Sequence, residues 1–203
     1  KQSIHIKIPR TGSTSLDHFC NGAGILYFGG MDMGFWGSSQ YNISAPTCTK
    51  LAECVKDHVG QDLYLTSFKF STVRNPWDRA VSMWFHGPSF WHPELVTTFK
   101  EFCQLLQKDK YPSPCARWHS QPFYKHLFNE NGECLIDFII RLETIQQDCN
   151  TICDRLGIDH RQIPHVNKSN HKHYTEYYDD ETREIVADKF KEDIDHFGYK
   201  FGQ

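Results

Sequence analysis

The stretch "IKIPRTGSTSL", Ile6 to Leu16, decides the fold. Ile4, Ile6 and Ile8 alternate with His5 and Lys7, the period of a β-strand, and Pro9 ends the run. A helix then opens within "STSLDHF". A strand that feeds a helix through a glycine-containing turn leaves several backbone N–H groups unpaired around one point, and the helix dipole adds positive potential there. The junction reads as an anion site. Thr11, Ser13, Thr14 and Ser15 offer hydroxyl donors, and Arg10 supplies a permanently charged planar fork suited to phosphate or sulfate oxygens. The Walker spacing G-x-x-x-x-G-K-[ST] is absent, and no G-x-G-x-x-G follows a strand. A helix cap in a tight strand-helix turn is the purely structural alternative.

A second junction of the same kind lies further on. "DLYLTSFKFSTVR" reads as a strand, rich in β-branched and aromatic residues, and Asn75-Pro76 breaks it. From Asp78, helical spacing resumes through Ala80, Val81 and Trp84. In "STVRNPWDRAVSMW", Arg74 falls at the strand end and Ser82 a turn or more into the helix, so both can face a crevice at the carboxyl end of a sheet. Arg79 reads as an ordinary surface arginine. Two anion sites on one sheet imply a ligand with two separated phosphates.

Gly22 to Gly37, with six glycines among small and aromatic residues, reads as an irregular loop. Pro46 and Thr47 open a helix bearing Leu51, Val55 and Val59, with Gly60 just past its end. Phe99, Phe102 and Leu106 mark another, followed by the proline-interrupted "YPSPCARWHSQPF". "CLIDFIIR" is a near-continuous apolar run, as expected of a strand buried on both faces. Ile145, Cys149, Ile152 and Leu156 mark the next helix, ended by Gly157. One last helix carries Val186, Phe190, Ile194 and Phe197 on one face, with Asp179 and Asp180 placed to cap it. Strands alternating with helices indicate an α/β layer fold with a mainly parallel sheet, in a single domain without repeats or a charged linker.

At 203 residues, 39% hydrophobic and 23% charged, the chain has room for a real core, so fibrous and disordered classes do not fit. Its formal charge of −3 argues against a nucleic-acid partner, and no apolar run is long enough to span a bilayer. Lys1 is not an initiator methionine, so the chain reads as a trimmed piece. Its eight cysteines include no C-x-x-C pair; Cys149 and Cys153, four apart on a helix, read as buried thiols, with oxidised pairing in a secretory lumen as the alternative. Asn42-Ile43-Ser44 and Asn167-Lys168-Ser169 fit the glycosylation sequon, a pattern too short to assign a compartment.

Together "IPRTGSTSL", "STVRNPWDRAVSMW" and "PHVNKSNHKHYTEYYDDETREIV" resemble the sulfotransferases that use 3′-phosphoadenosine 5′-phosphosulfate (PAPS), the carbohydrate branch especially. The resemblance runs from Ile4 to Phe201, and "VRNPWDRAVS" is its most specific segment. It implies a P-loop-like sulfotransferase architecture over residues 1–203 and in-line transfer from PAPS to a hydroxyl of a carbohydrate or small molecule, with no metal. By the same resemblance Arg10, Thr11, Gly12, Ser13, Thr14 and Ser15 hold the 5′-phosphosulfate, Arg74 and Ser82 the 3′-phosphate, and Lys168 and Ser169 are further phosphate contacts. "RLETIQQD", with Arg141 and Glu143, also resembles a family segment, and Glu143 reads as structural.

Two departures stand out. The family usually has lysine where this chain has Arg10, so the side chain would act electrostatically rather than as an acid. Related carbohydrate enzymes carry a histidine base between the first motif and the second strand, whereas residues 22–56 contain none. His119, in a segment resembling an acceptor-side stretch, is the first candidate base and Asp32 the second. His5 reads as a packed histidine, and His171 and His173 as solvated residues without a third metal ligand. Phe35, Trp36, Tyr41, Trp84, Phe90 and Trp91 are candidates for an acceptor platform, although most aromatics fill cores. The alternatives are a nucleotide-binding module without turnover and a P-loop-like kinase, the latter lacking its lysine-hydroxyl ending and a clear magnesium carboxylate. A Golgi lumenal domain and a bacterial cytoplasmic enzyme both fit.

Overall fold

Five strands hydrogen-bond side by side in the order β3-β2-β1-β4-β5, every neighbouring pair parallel. The strands are β1 (Ser3–Lys7), β2 (Leu26–Gly30), β3 (Tyr41–Ile43), β4 (Phe68–Val73) and β5 (Phe138–Arg141). The computed structural model describes residues 2–30, 41–43, 51–86, 96–164 and 171–203. These fall into two compact units, one of Lys1–Val73 with Lys125–Lys168 and one of Arg74–Tyr124 with Ser169–Gln203.

The first unit holds the whole sheet. Alternation along β1 places Ile4 and Ile6 on one face and His5 and Lys7 on the other. On the His5 face, α1 (Ser13–Ala23) and α8 (Ile145–Leu156) cover the sheet with Leu16, Phe19, Cys20, Cys149, Ile152 and Cys153, which pack with Tyr27, Phe70 and Ile140. Against β1 and β2 also packs α2 (Leu51–Val59), through Leu51, Ala52 and Val55. Sheet central strands buried on both sides account for the Ile-rich start of the chain.

In the second unit α4 (Pro76–His86), α5 (Phe99–Lys108), α9 (Asp180–Lys189) and α10 (Lys191–Phe197) pack together around a 3₁₀ turn at Tyr174–Tyr177. The short α6 (Pro114–His119) leads into α7 (Phe123–Leu127). Asp179, the residue just before α9, accepts the Thr182 N–H at 2.7 Å in a capping box.

The α/β class, the parallel sheet, β1, α1 and the Gly157 stop of α8 are as the sequence indicates. Four details differ. β2 lies inside the glycine-rich stretch, where Tyr27 and Phe28 are buried and bond in register with β1. Asp62 to Thr66 form α3 (Gln61–Thr66) rather than the front of a strand; Tyr64 is buried and its hydroxyl donates to the Leu135 carbonyl at 3.1 Å. β5 is an edge strand and mostly half-buried; only the second half of "CLIDFIIR" joins the sheet as a strand, while Cys134 forms an isolated antiparallel bridge with Phe128. The last helix is two, broken at Phe190, which leaves the helical region at φ −113° and ψ 27°; past the break Asp193 is fully buried and Ile194 only half-buried.

Candidate active site

The turn after β1 holds two residues in the left-handed region, Arg10 at φ 65° and Gly12 at φ 75°. For arginine this conformation costs about 1–2 kcal/mol, and such strain persists where surrounding structure imposes it. Thr11 supplies part of that constraint. It is buried, and its hydroxyl donates to the Ile8 carbonyl at 2.8 Å. Its O–H proton thus braces the turn in this structure, and its backbone N–H belongs to the same loop.

Gly12 caps α1 without a side-chain acceptor, and no acidic residue occupies the first helical turn. The positive end of this eleven-residue helix is flanked by half-buried Ser13 and Thr14 and buried Ser15, an arrangement of donors compatible with an anion. A side chain at position 12 meets two obstacles. Besides the φ angle, a Cβ there would lie 2.6 Å from Leu142 Cδ1. Leu142 comes from the 3₁₀ turn Leu142–Thr144 between β5 and α8, so "RLETIQQD" contributes the side chain that leaves room only for glycine at position 12. Sequence reading had no signal for this role of Leu142.

Beneath α1, Lys7 Nζ donates to Asp17 Oδ2 at 2.6 Å, tying the helix to the end of β1. Burial raises the Asp17 carboxyl above its usual range, and the Lys7 ammonium opposes that rise. His5, on the same face of β1, is 1% exposed, stacks on Phe70 at 5.0 Å between ring centroids, and among the described residues has no hydrogen-bond partner for either ring nitrogen. Burial depresses its pKa to about 3. It is a packed neutral histidine, as its sequence position suggests.

Because β1 and β4 are adjacent and parallel, the chain leaves both at the same edge of the sheet; Ser71 reinforces the pairing by donating to the Ile6 carbonyl at 2.6 Å. The chain leaving β4 enters the second motif at once. Asn75 explains the "RNP" sequence: its side-chain oxygen accepts the Trp77 N–H at 3.1 Å and its carbonyl accepts the Arg79 N–H at 2.8 Å, starting α4 at Pro76. Arg74 Nε donates to Asp78 Oδ2 at 2.8 Å across one helical turn, which orients the guanidinium by one edge. Ser82, on the same helix, is 1% exposed.

Arg79 is not a surface residue. It is fully buried, donates to the His119 and Gln121 carbonyls at 2.9 Å each, and lies over the Phe123 ring. His119 closes α6, half-buried, with the Trp118 ring edge-on at 5.4 Å. Trp84 belongs to a cluster with Phe85, Phe99 and Tyr177 at 4.7, 5.5 and 5.8 Å. His171 is half-buried and stacks on Phe85, unlike exposed His173, so only the latter is solvated as expected. Among the described residues no cluster of three or more His, Cys, Asp or Glu is placed to hold a metal. Asp32, Phe35, Trp36, Phe90, Trp91, Lys168 and Ser169 lie outside the described residues.

Cys20, Cys149 and Cys153 are buried free thiols, in line with the packing role expected of the helical pair, whereas Cys54 is disulfide-bonded. Burial raises the thiol pKa of each of the three, with Cys149 pushed up to about 12.

No curated protein matches the chain in sequence. Among solved structures it is similar to mouse sulfotransferase SULT7A1 complexed with PAP, with a TM-score of 0.54 and 14% identity, over 96% of this chain and 84% of that one. That likeness concerns the fold. The model of the sulfotransferase family matches residues 6–200, through both motifs and both compact units. With a match of that extent, the chain belongs to the sulfotransferase family.

Proposed function

We propose that residues 1–203 act as one sulfotransferase domain that moves a sulfuryl group from PAPS to a hydroxyl of a carbohydrate or small-molecule acceptor. The observation that carries the reading is the turn Arg10–Gly12. Two left-handed residues, a glycine required by Leu142 and a helix start with no acid in its first turn suit a phosphosulfate, which needs converging donors. The similar mouse structure is described as complexed with PAP, the nucleotide such a donor leaves behind.

In this reading the donor supplies an activated sulfuryl group and a phosphate leaving group. The N–H groups of Thr11 to Thr14 and the Arg10 guanidinium hold the terminal oxygens and stabilise charge as it develops, without a proton passing from arginine. Ser13, Thr14 and Ser15 orient the group by hydroxyl donation. Arg74, steadied by Asp78, and Ser82 receive the 3′-phosphate. Lys168 and Ser169 are further phosphate contacts. His119 takes the acceptor proton as general base. The disulfide at Cys54 favours an oxidising lumen over cytoplasm as the working compartment.

Calorimetry with PAP in the absence of magnesium tests this first. Wild type should bind, and Arg74→Ala should weaken binding by about 1.5–3 kcal/mol, the usual worth of a charge-assisted hydrogen bond. Transfer from PAPS to methyl glycosides and simple phenols then separates carbohydrate from small-molecule acceptors. No binding by wild type refutes the reading; binding without transfer to any acceptor leaves a nucleotide-binding module.

A further inference from the structure

Arg79 stands inside the second motif, three residues before Ser82, and its guanidinium engages backbone carbonyls. Its Nη1 donates to the Gln121 carbonyl and its Nη2 to the His119 carbonyl, each at 2.9 Å. The guanidinium carbon lies 4.1 Å from the Phe123 ring centroid and 5.6 Å from that of Phe190. From α10, fully buried Asp193 accepts the Phe123 N–H at 2.9 Å and the Tyr124 N–H at 2.8 Å. Two buried charges of opposite sign therefore grip one short stretch of backbone, the cation on the carbonyls at its start and the carboxylate on the amides at its end. Burial holds the Asp193 carboxyl up at about 6, while the two N–H donors and Arg79 pull against that rise.

Burying a guanidinium is costly, and an apolar side chain would fill the same space against Phe123 and Phe190 without that cost. What an apolar side chain cannot do is hold two carbonyls in a fixed fork. One of them belongs to His119, whose ring is flanked edge-on by Trp118. We infer that Arg79 is a positioning residue: it ties the backbone of His119 to α4, the helix that carries Ser82, so that the proton acceptor and the 3′-phosphate contacts share one frame. This rests on the reading of His119 as the base given above.

The test is a double-mutant cycle on the full chain, with transfer from PAPS to methyl glycosides and phenols and with PAP calorimetry. Arg79→Met should leave PAP affinity within about threefold, because Arg74 and Ser82 remain, while kcat falls by about 10², the effect of a displacement near 1 Å at a reacting group. Arg79→Lys, able to reach one carbonyl but not both, should fall between. His119→Ala should lose 10² or more, as removal of a general base does. Acting through His119, Arg79→Met should add little further loss in the His119→Ala background. Additive losses, or PAP affinity falling in step with kcat, would reduce Arg79 to a structural residue and overturn the inference. If Arg79→Met does not fold, Arg79→Lys enters the same cycle, with a smaller fall in kcat that should likewise vanish in the His119→Ala background. Full activity of His119→Ala beside an active wild type overturns the positioning role but leaves the sulfotransferase reading standing; a wild type that neither binds PAP nor transfers removes both.

Discussion

Gly12→Ala is the substitution whose effect can be worked most directly from the structure. The new Cβ meets two obstacles, the left-handed backbone at φ 75° and the Leu142 Cδ1 atom at 2.6 Å. The first costs about 1–2 kcal/mol for an L-residue. The second requires the Leu142 methyl to move, and overpacking of this kind costs about 1–3 kcal/mol. The sum is about 2–5 kcal/mol, relieved if the turn abandons its conformation and with it the converging N–H groups. PAP affinity should then fall by about 30-fold or more, since 1.4 kcal/mol is tenfold. The two causes can be separated in a cycle with Leu142→Ala, which removes the colliding methyl but not the φ penalty, so that adding Gly12→Ala should now cost only about 1–2 kcal/mol. Calorimetry of PAP binding alongside thermal melting reads both effects. Wild-type affinity in Gly12→Ala, or strict additivity with Leu142→Ala, would refute the two-obstacle account.

His5 and Lys7 yield further expectations from the same face of β1. The pKa of His5 is depressed in the folded chain from 6.5 to about 3, so the native state binds fewer protons than the unfolded one. Its contribution to stability is complete above pH 6.5 and is lost as pH falls toward 3; between pH 7.5 and 5 the loss is about 2 kcal/mol. His5→Phe keeps the stack on Phe70 and should abolish that part of the pH dependence in urea unfolding; identical slopes in the two proteins would contradict a buried neutral imidazole. Lys7→Met leaves the Asp17 carboxylate buried without its cation and should cost about 3–5 kcal/mol, whereas Lys7→Met with Asp17→Leu should recover much of it. A double variant no more stable than Lys7→Met would show that the ion pair itself, not relief of a lone buried charge, holds α1 to β1.

Much of the site was legible from residue order because its parts are local. A strand, a glycine turn and a hydroxyl-rich helix start follow one another within Ile6 to Leu16, and the structure places them in that order around β1 and α1. "RNP" announced the start of α4 for the same reason, since Asn75 bonds to residues two and four places on. Burial was harder to see. Arg79 looks like any helical arginine in sequence, and only the arrival of the His119 and Gln121 carbonyls, some forty residues later, makes its burial tolerable. The bond from the Thr11 hydroxyl to the Ile8 carbonyl is likewise not announced by residue type.

The sequence by itself determined the alternation of strands and helices, the two strand-to-helix junctions after β1 and β4 and the helix stops at Gly60 and Gly157, because periodicity, capping and turn chemistry act over a few residues. Tertiary structure alone decided that Leu26 to Gly30 form a strand, that β5 lies at the edge, and that Leu142 leaves room only for glycine at position 12. Each of these depends on a partner brought in by the fold, a neighbouring strand or a side chain 130 residues away, and no local preference encodes that meeting.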